Sequence, residues 1–224
     1  MSARLFGSAL LLAGLSTGIH AQAQVPGRSR AVKFVPQHLV MSGYWLELES
    51  QRREHPLQSF TVTPQFYHGP VGHPDGVPNS LNENPSVRGF GVQGQHRFYL
   101  HAPTKTSSLA GLYVSYGPHF QYFQVGFERT GWHEVQGPDD LPYYEYGPKH
   151  FTETINRYGA DVQLGYQPPL LPGPVFFDVY VGAGLRQSNS KSSFGAVQYR
   201  SGGSNYGARG LYFPAGVKVG VALR

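Results

Sequence analysis

The chain contains no cysteine. That removes disulfides, which a secreted domain of this size can do without, and it removes any lipid anchor attached to a cysteine behind a signal segment. Charged residues are scarce, at 14% against about 25% in ordinary soluble domains. Long hydrophobic runs are also missing. The apolar stretch Leu5–Leu15 is too short for a spanning helix, which needs roughly 20 residues, and nothing longer follows it. No amphipathic helical pattern of useful length occurs either. Helical membrane proteins and helical bundles are thereby excluded. The formal net charge is +5, or +4 once Arg4 is removed with the leader, but the bases are scattered. Nucleic-acid binding wants them clustered on one face, so no nucleic-acid partner is expected.

What is present starts with a leader. Arg4, the apolar run and the small residues of Ala21-Gln22-Ala23 form the pattern of a cleavable secretory signal. The expected organisation is a signal peptide over 1–23 and one domain over 24–224. With 29 glycines, 15 tyrosines and 14 phenylalanines, the composition is that of an all-β protein.

Alternation with period two, the mark of a strand with two unlike faces, recurs along the domain. Val175, Phe177, Val179, Val181, Ala183 and Leu185 alternate with Phe176, Asp178, Tyr180, Gly182, Gly184 and Arg186. Leu211, Phe213, Ala215, Val217, Val219, Val221 and Leu223 alternate with Tyr212, Gly216, Lys218 and Gly220. The same pattern places Leu46 opposite Glu47, Phe60 opposite Thr61, Val92 opposite Gln93, Val114 opposite Ser115 and Val162 opposite Asp161 in five further segments. Residues 30–36 supply a candidate first strand, for about eight in all. Pro64, Pro118 and Pro214 fall inside these strands and each removes a donor, so bulges or strand ends are expected there. The connections 52–56, 101–108 and 167–172 are short, whereas 68–86, 130–150 and 187–207 are long, polar and rich in Gly, Pro, Asn and Ser.

Short turns at one end and long loops at the other describe an outer-membrane barrel. A soluble barrel also alternates, so the polar face decides. It is full of glycine (Gly91, Gly111, Gly159, Gly165, Gly182, Gly184, Gly216, Gly220) beside Tyr, Gln and opposed charges. A solvated face gains nothing from glycine, while a crowded interior needs small residues opposite long ones. The apolar face carries no charge, as lipid demands. Hydrocarbon offers no hydrogen-bond partner, so the backbone must pair within a closed ring. The expected fold is an all-β, closed, antiparallel up-and-down transmembrane β-barrel of eight strands, in the bacterial outer membrane.

The segments Gly43-Tyr-Trp-Leu-Glu-Leu-Glu49, Arg97-Phe-Tyr-Leu100, Gly111-Leu-Tyr-Val-Ser-Tyr116, Gly159-Ala-Asp-Val-Gln-Leu-Gly-Tyr166 and Val179-Tyr-Val-Gly-Ala-Gly184 resemble the small eight-stranded outer-membrane barrels, similar to the transmembrane domain of outer-membrane protein A and related β-barrel families. The resemblance covers most of the mature chain and implies outer-membrane lipid and the barrel assembly machinery as partners. It departs at the C-terminus, where such barrels often end in an aromatic residue and this chain ends Val221-Ala-Leu-Arg224.

The candidate site is an interior charge network of Glu47, Glu49, Arg97, Arg157, Asp161, Asp178, Arg186 and Lys218, four acids against four bases. Such a network either braces the wall or gates a narrow, porin-like path. An eight-stranded barrel is just wide enough for side chains to fill, which favours the brace. Gly89-Phe-Gly91-Val-Gln-Gly94 matches a dinucleotide-binding pattern but lies within a strand with no helix after it, and is rejected. His96, on the lipid face, and His119, facing inward, lack the third residue that a triad requires. His73-Pro-Asp75 and His133-Glu134 offer two metal ligands each, too few for a site. Tyr67, Tyr99, Tyr116, Phe120, Tyr122, Tyr158, Tyr166 and Tyr212 are expected as interface girdles. The expected function is non-enzymatic, with no catalytic residue, cofactor or metal: a structural or surface-interaction role, with an extracellular ligand for the loops 68–86, 130–150 and 187–207. The alternatives are a narrow channel or small-solute transporter and, third, a lipid-modifying enzyme.

Overall fold

Chain segments of alternating polarity extend into antiparallel ladders that close on themselves. The computed structural model describes residues 30–72, 83–100, 109–168, 175–200 and 205–223, so the expected signal segment lies outside them. Its strands are β1 (Arg30–Phe34), β2 (Gly43–Gln51), β3 (Gln58–Pro70), β4 (Glu83–Tyr99), β5 (Gly111–Gln136), β6 (Pro142–Gln167), β7 (Val175–Ser192), β8 (Gly210–Tyr212) and β9 (Ala215–Leu223). A 3-10 helix, η1 (Pro36–Met41), joins β1 to β2. Neighbours from β1 to β7 pair antiparallel in sequence order, and β9 pairs with both β7 and β1, closing the ring. β8 and β9 keep one register on β7, with Tyr212 opposite Gly184, Ala215 opposite Val181, and the Gly182 N–H donating to the Pro214 carbonyl. They are one strand broken at Pro214, and the ring has eight strands. The segment near residue 30 does supply the first strand.

The prolines behave differently from expectation. Of Pro64, Pro118 and Pro214, only Pro214 breaks a strand. Pro64 stays opposite Val92, and Pro118 opposite Ala160, with no change of register. The missing N–H shows instead as skipped pairs on the other side, between Trp45–Gln65 and Leu48–Val62 and between Gln93–His119 and His96–Tyr116. The bulge sits between Glu83 and Ser86, beside Pro85.

Burial alternates along every strand of the ring. Leu46, Phe60, Phe90, Leu112, Phe120, Val162, Phe177, Val181, Phe213 and Val219 point outward and are exposed, forming a continuous apolar belt. Tyr116, Phe120, Tyr158 and Tyr166 belong to it. Tyr67 and Tyr99 do not: they share the parity of Gln65 and Arg97 and are buried in the lumen, and Tyr212 also faces inward. These three aromatics close or line the interior rather than girdle it.

β1, β3, β5 and β7 finish, and β2, β4, β6 and β8 begin, at one end of the ring, the loop end; the opposite strand ends mark the turn end. Two of the expected loops are corrected. Residues 130–150 form a ribbon, since β5 and β6 stay paired from Arg129–Lys149 to Gln136–Pro142. Within 187–207, β7 runs on to Ser192, and Tyr199 and Tyr206 fold into the barrel mouth as core residues. A polar, glycine-rich composition suits a solvated ribbon as well as a loop, which is why the two read alike in sequence. The 68–86 loop narrows likewise, because β3 reaches Pro70 and β4 begins at Glu83; its His73 and Asp75 lie outside the described residues.

Candidate functional site

Starting from the turn end, the lumen is closed by Ala31, Tyr99, Leu109, Tyr113 and Phe176. Above them lies a layer of three cations and three carboxylates. Lys33 of β1 reaches Glu47 at 3.1 Å, Glu49 at 2.7 Å and Asp178 at 2.6 Å. Arg97 of β4 reaches the same three at 3.1, 2.8 and 3.4 Å. Lys218 of β9 pairs with Glu47. Hydroxyls complete the shell: Tyr113 donates to Asp178 at 2.6 Å, Tyr99 to Glu49 at 2.9 Å, and Ser59 also to Glu49. The Arg97 guanidinium stacks 4.0 Å from the Tyr113 ring centre. Lys33 and Arg97 have no exposed surface. The charges are equal in number and mutually hydrogen-bonded, which is what a buried ionic cluster needs to offset its desolvation.

The remaining sequence-selected charges form a separate layer nearer the loop end. Asp161 accepts from Gln95 and Gln163 on one oxygen, at 2.8 and 3.2 Å, and from Gln93 and Tyr212 on the other, at 2.8 Å each. His119 stands 4.0 Å from Asp161, with its Nδ1 3.3 Å from the Tyr212 hydroxyl. Arg157 donates from Nε to Gln121 at 2.7 Å and from Nη1 to the Tyr206 carbonyl at 3.0 Å. Arg186 lies over the Tyr212 ring at 4.9 Å. One network was expected; Glu47, Glu49, Arg97, Asp178 and Lys218 meet, while Arg157, Asp161 and Arg186 stand apart from them. Above this layer Tyr67, Phe123, Phe127, Ile155, Tyr199 and Tyr206 close the loop end.

Three features escaped the sequence reading. Lys33 belongs to the charge layer, and its signal was the alternation Ala31-Val32-Lys33-Phe34-Val35, with the lysine on the face opposite Val32 and Phe34. The second is η1. β1 meets β9 only from Val219 to Leu223, so Ala215–Lys218 and β8 face no strand on that side among the described residues. η1 covers the break: Gln37 donates to the Tyr180 hydroxyl at 2.9 Å, and His38 stacks on Trp45 at 3.5 Å. The third is the packing of Tyr199 and Tyr206, and the Tyr206 hydroxyl ties the loop to η1 by donating to the Met41 carbonyl at 2.6 Å. Between the Asp161 layer, η1 and the loop-end aromatics lies a cavity of about 170 Å³, lined by Trp45, Tyr67, Arg157, Tyr206 and Tyr212 among others.

His96 faces outward, stacked on Phe60 at 4.6 Å and 3.3 Å from the Tyr116 hydroxyl. The glycine pattern 89–94 lies wholly inside β4.

No protein-family model matches the chain, and none of the curated proteins compared matches it. Among solved structures it is similar to CarO of Acinetobacter baumannii, at 15% identity and a TM-score of 0.38 over 89% of this chain and 97% of that one. It is also similar to CarO2 of the same organism, at 13% identity and a TM-score of 0.38 over 88% and 97%. The resemblance to the outer-membrane protein A barrels has no sequence match behind it; the eight-stranded ring itself stands on the strand pairing.

Proposed function

We propose that this chain is a non-enzymatic integral protein of the bacterial outer membrane that acts through its loop end. The observation that carries the reading is the apolar belt around a ring whose interior is polar. Soluble monomers rarely expose apolar patches beyond a few hundred Å², whereas here every strand of the ring contributes outward Leu, Val, Phe or Tyr. Inside, ion pairs and glutamines occupy the lumen, and aromatic clusters close both ends. The inversion of inside and outside fits lipid as the surrounding solvent.

A surface role is supported by the β5–β6 ribbon. Beyond Glu128 and Glu153 these strands pair only with each other among the described residues. At about 3.3 Å per residue, Arg129–Gln136 projects roughly 25 Å from the ring. It carries Trp132, Leu141, Tyr143, Tyr144 and Tyr146 exposed to solvent. Cell fractionation should recover the protein in outer membranes with heat-modifiable gel migration. Protease added to intact cells should cut at the ribbon tip, 137–141, and leave the turn-end connection 52–57 whole. Recovery free in the periplasm overturns the membrane reading; cleavage at 52–57 with the tip spared inverts the orientation.

A further inference from the structure

The two polar layers of the lumen differ in one respect that points to a ligand. In the turn-end layer each cation meets at least one carboxylate. Arg157, with 7% of its surface exposed, meets none within ion-pair distance among the described residues: its bonds go to the Gln121 amide oxygen and to the backbone carbonyls of Asn205 and Tyr206. Asp161 is no substitute, because both of its oxygens are already occupied by glutamine amides and the Tyr212 hydroxyl. Its guanidinium also lies 4.9 Å from the Phe123 ring centre, but a buried cation held by neutral groups is poorly compensated, and this one borders the cavity. Guanidinium is the side chain best suited to a carboxylate, which it can bind through two parallel N–H donors.

The rest of the cavity sets the size and body of the guest. Its volume of about 170 Å³ is slightly above the roughly 150 Å³ that accepts benzene. Trp45, Tyr67 and Tyr206 supply ring surface, and their polar tips are engaged: Trp45 Nε1 donates to the Tyr67 hydroxyl at 2.9 Å, and Tyr206 donates to the Met41 carbonyl. Val35, His38, Pro214 and Ala215 also line it, so the cavity reaches the break in the wall that η1 covers.

We propose that this cavity binds a small carboxylate with an apolar body about the size of a benzene ring, its carboxylate on Arg157 and its body among Trp45, Tyr67 and Tyr206. The site is independent of the surface role proposed above.

The chain has two tryptophans, so the variant W132F leaves Trp45 as the sole reporter. The full-length protein folded in detergent is titrated with benzoate, benzyl alcohol and benzylammonium, read by Trp45 fluorescence and by calorimetry. Benzoate should give a saturable signal, at least tenfold tighter than either isostere. R157Q should weaken benzoate at least tenfold, and R157K, which keeps the charge but not the fork, should fall between. Should R157Q fail to show folded, heat-modifiable migration, the three-probe comparison on the intact cavity decides alone. Equal affinity for the three probes, no heat or fluorescence change with benzoate, or a folded R157Q that binds as before overturns the proposal.

Discussion

Lys33 touches three carboxylates at once, at 2.6 to 3.1 Å, so its removal leaves Glu47, Glu49 and Asp178 sharing Arg97 and Lys218. Deleting one partner of a buried ionic cluster costs about 3–5 kcal/mol. Lys33→Met and Lys218→Met should each lower stability to urea by about that amount in detergent, while Lys191→Met, at an exposed position near the end of β7, should leave it unchanged. Identical midpoints for Lys33→Met and Lys191→Met would falsify the brace. Close packing around the same layer gives a second test. A Cβ on Gly220 would stand 2.6 Å from the Phe176 ring and 2.9 Å from Lys33 Cγ. Gly220→Ala should therefore destabilise by about 1–3 kcal/mol, as overpacking does. Glycine on the polar face leaves room for long side chains: a Cβ on Gly165 would run into Tyr113, and one on Gly184 into Tyr212.

Among the elements, the 193–209 connection shows how far the sequence could be read. Period two assigns a face to each residue and puts Glu47, Glu49, Arg97, Asp178 and Lys218 on the polar one; all five are buried. It says nothing of height along the barrel, which depends on strand tilt and stagger; Arg157 and Asp161 therefore could not be separated from the charge layer in advance. Lys33 was lost because five residues of β1 give too short a period. Tyr199 and Tyr206 follow no period at all, since they dock from a connection. That docking rests partly on Glu153, which accepts the backbone N–H groups of Gln198 at 2.7 Å and of Tyr199 at 3.3 Å. Glu153 sits on the loop-end side of the apolar belt, since β6 carries no large exposed hydrophobic residue between the ribbon's Tyr146 and Tyr158. Burial holds its carboxyl above the ordinary value of 4.5, against those two hydrogen bonds. A raised carboxyl favours the docked form when protonated, so its contribution is full below pH 4.5 and fades as pH climbs through the raised value. Cleavage of residues 193–200 by an added protease, taken as a ratio to Glu153→Gln at each pH, should rise with pH across that window. A flat ratio would remove Glu153 from the docking.

For the molecule as a whole, four successive layers of side chains cross the lumen. From the turn end they are the Tyr99–Tyr113–Phe176 cluster, the Lys33–Arg97–Lys218 charge layer, the glutamine shell around Asp161, and the cluster containing Phe123, Tyr199 and Tyr206. An eight-stranded ring has little width beyond its own side chains, so a path would have to open at every layer together. The protein inserted in a planar bilayer should therefore carry no steady current. Shortening the 193–209 connection to remove Tyr199 and Tyr206 should leave that result unchanged, because the charge layer closes the lumen further down. The same change should admit water to the cavity and shift Trp45 fluorescence in a W132F background, which shows that the loop end has opened. Lys218→Met combined with the shortened connection is the sharper case. If the charge layer is a brace, the double variant loses stability and still does not conduct. Discrete single-channel steps from either variant, with the barrel still folded by heat-modifiable migration, would make the layer a gate and the protein a narrow channel.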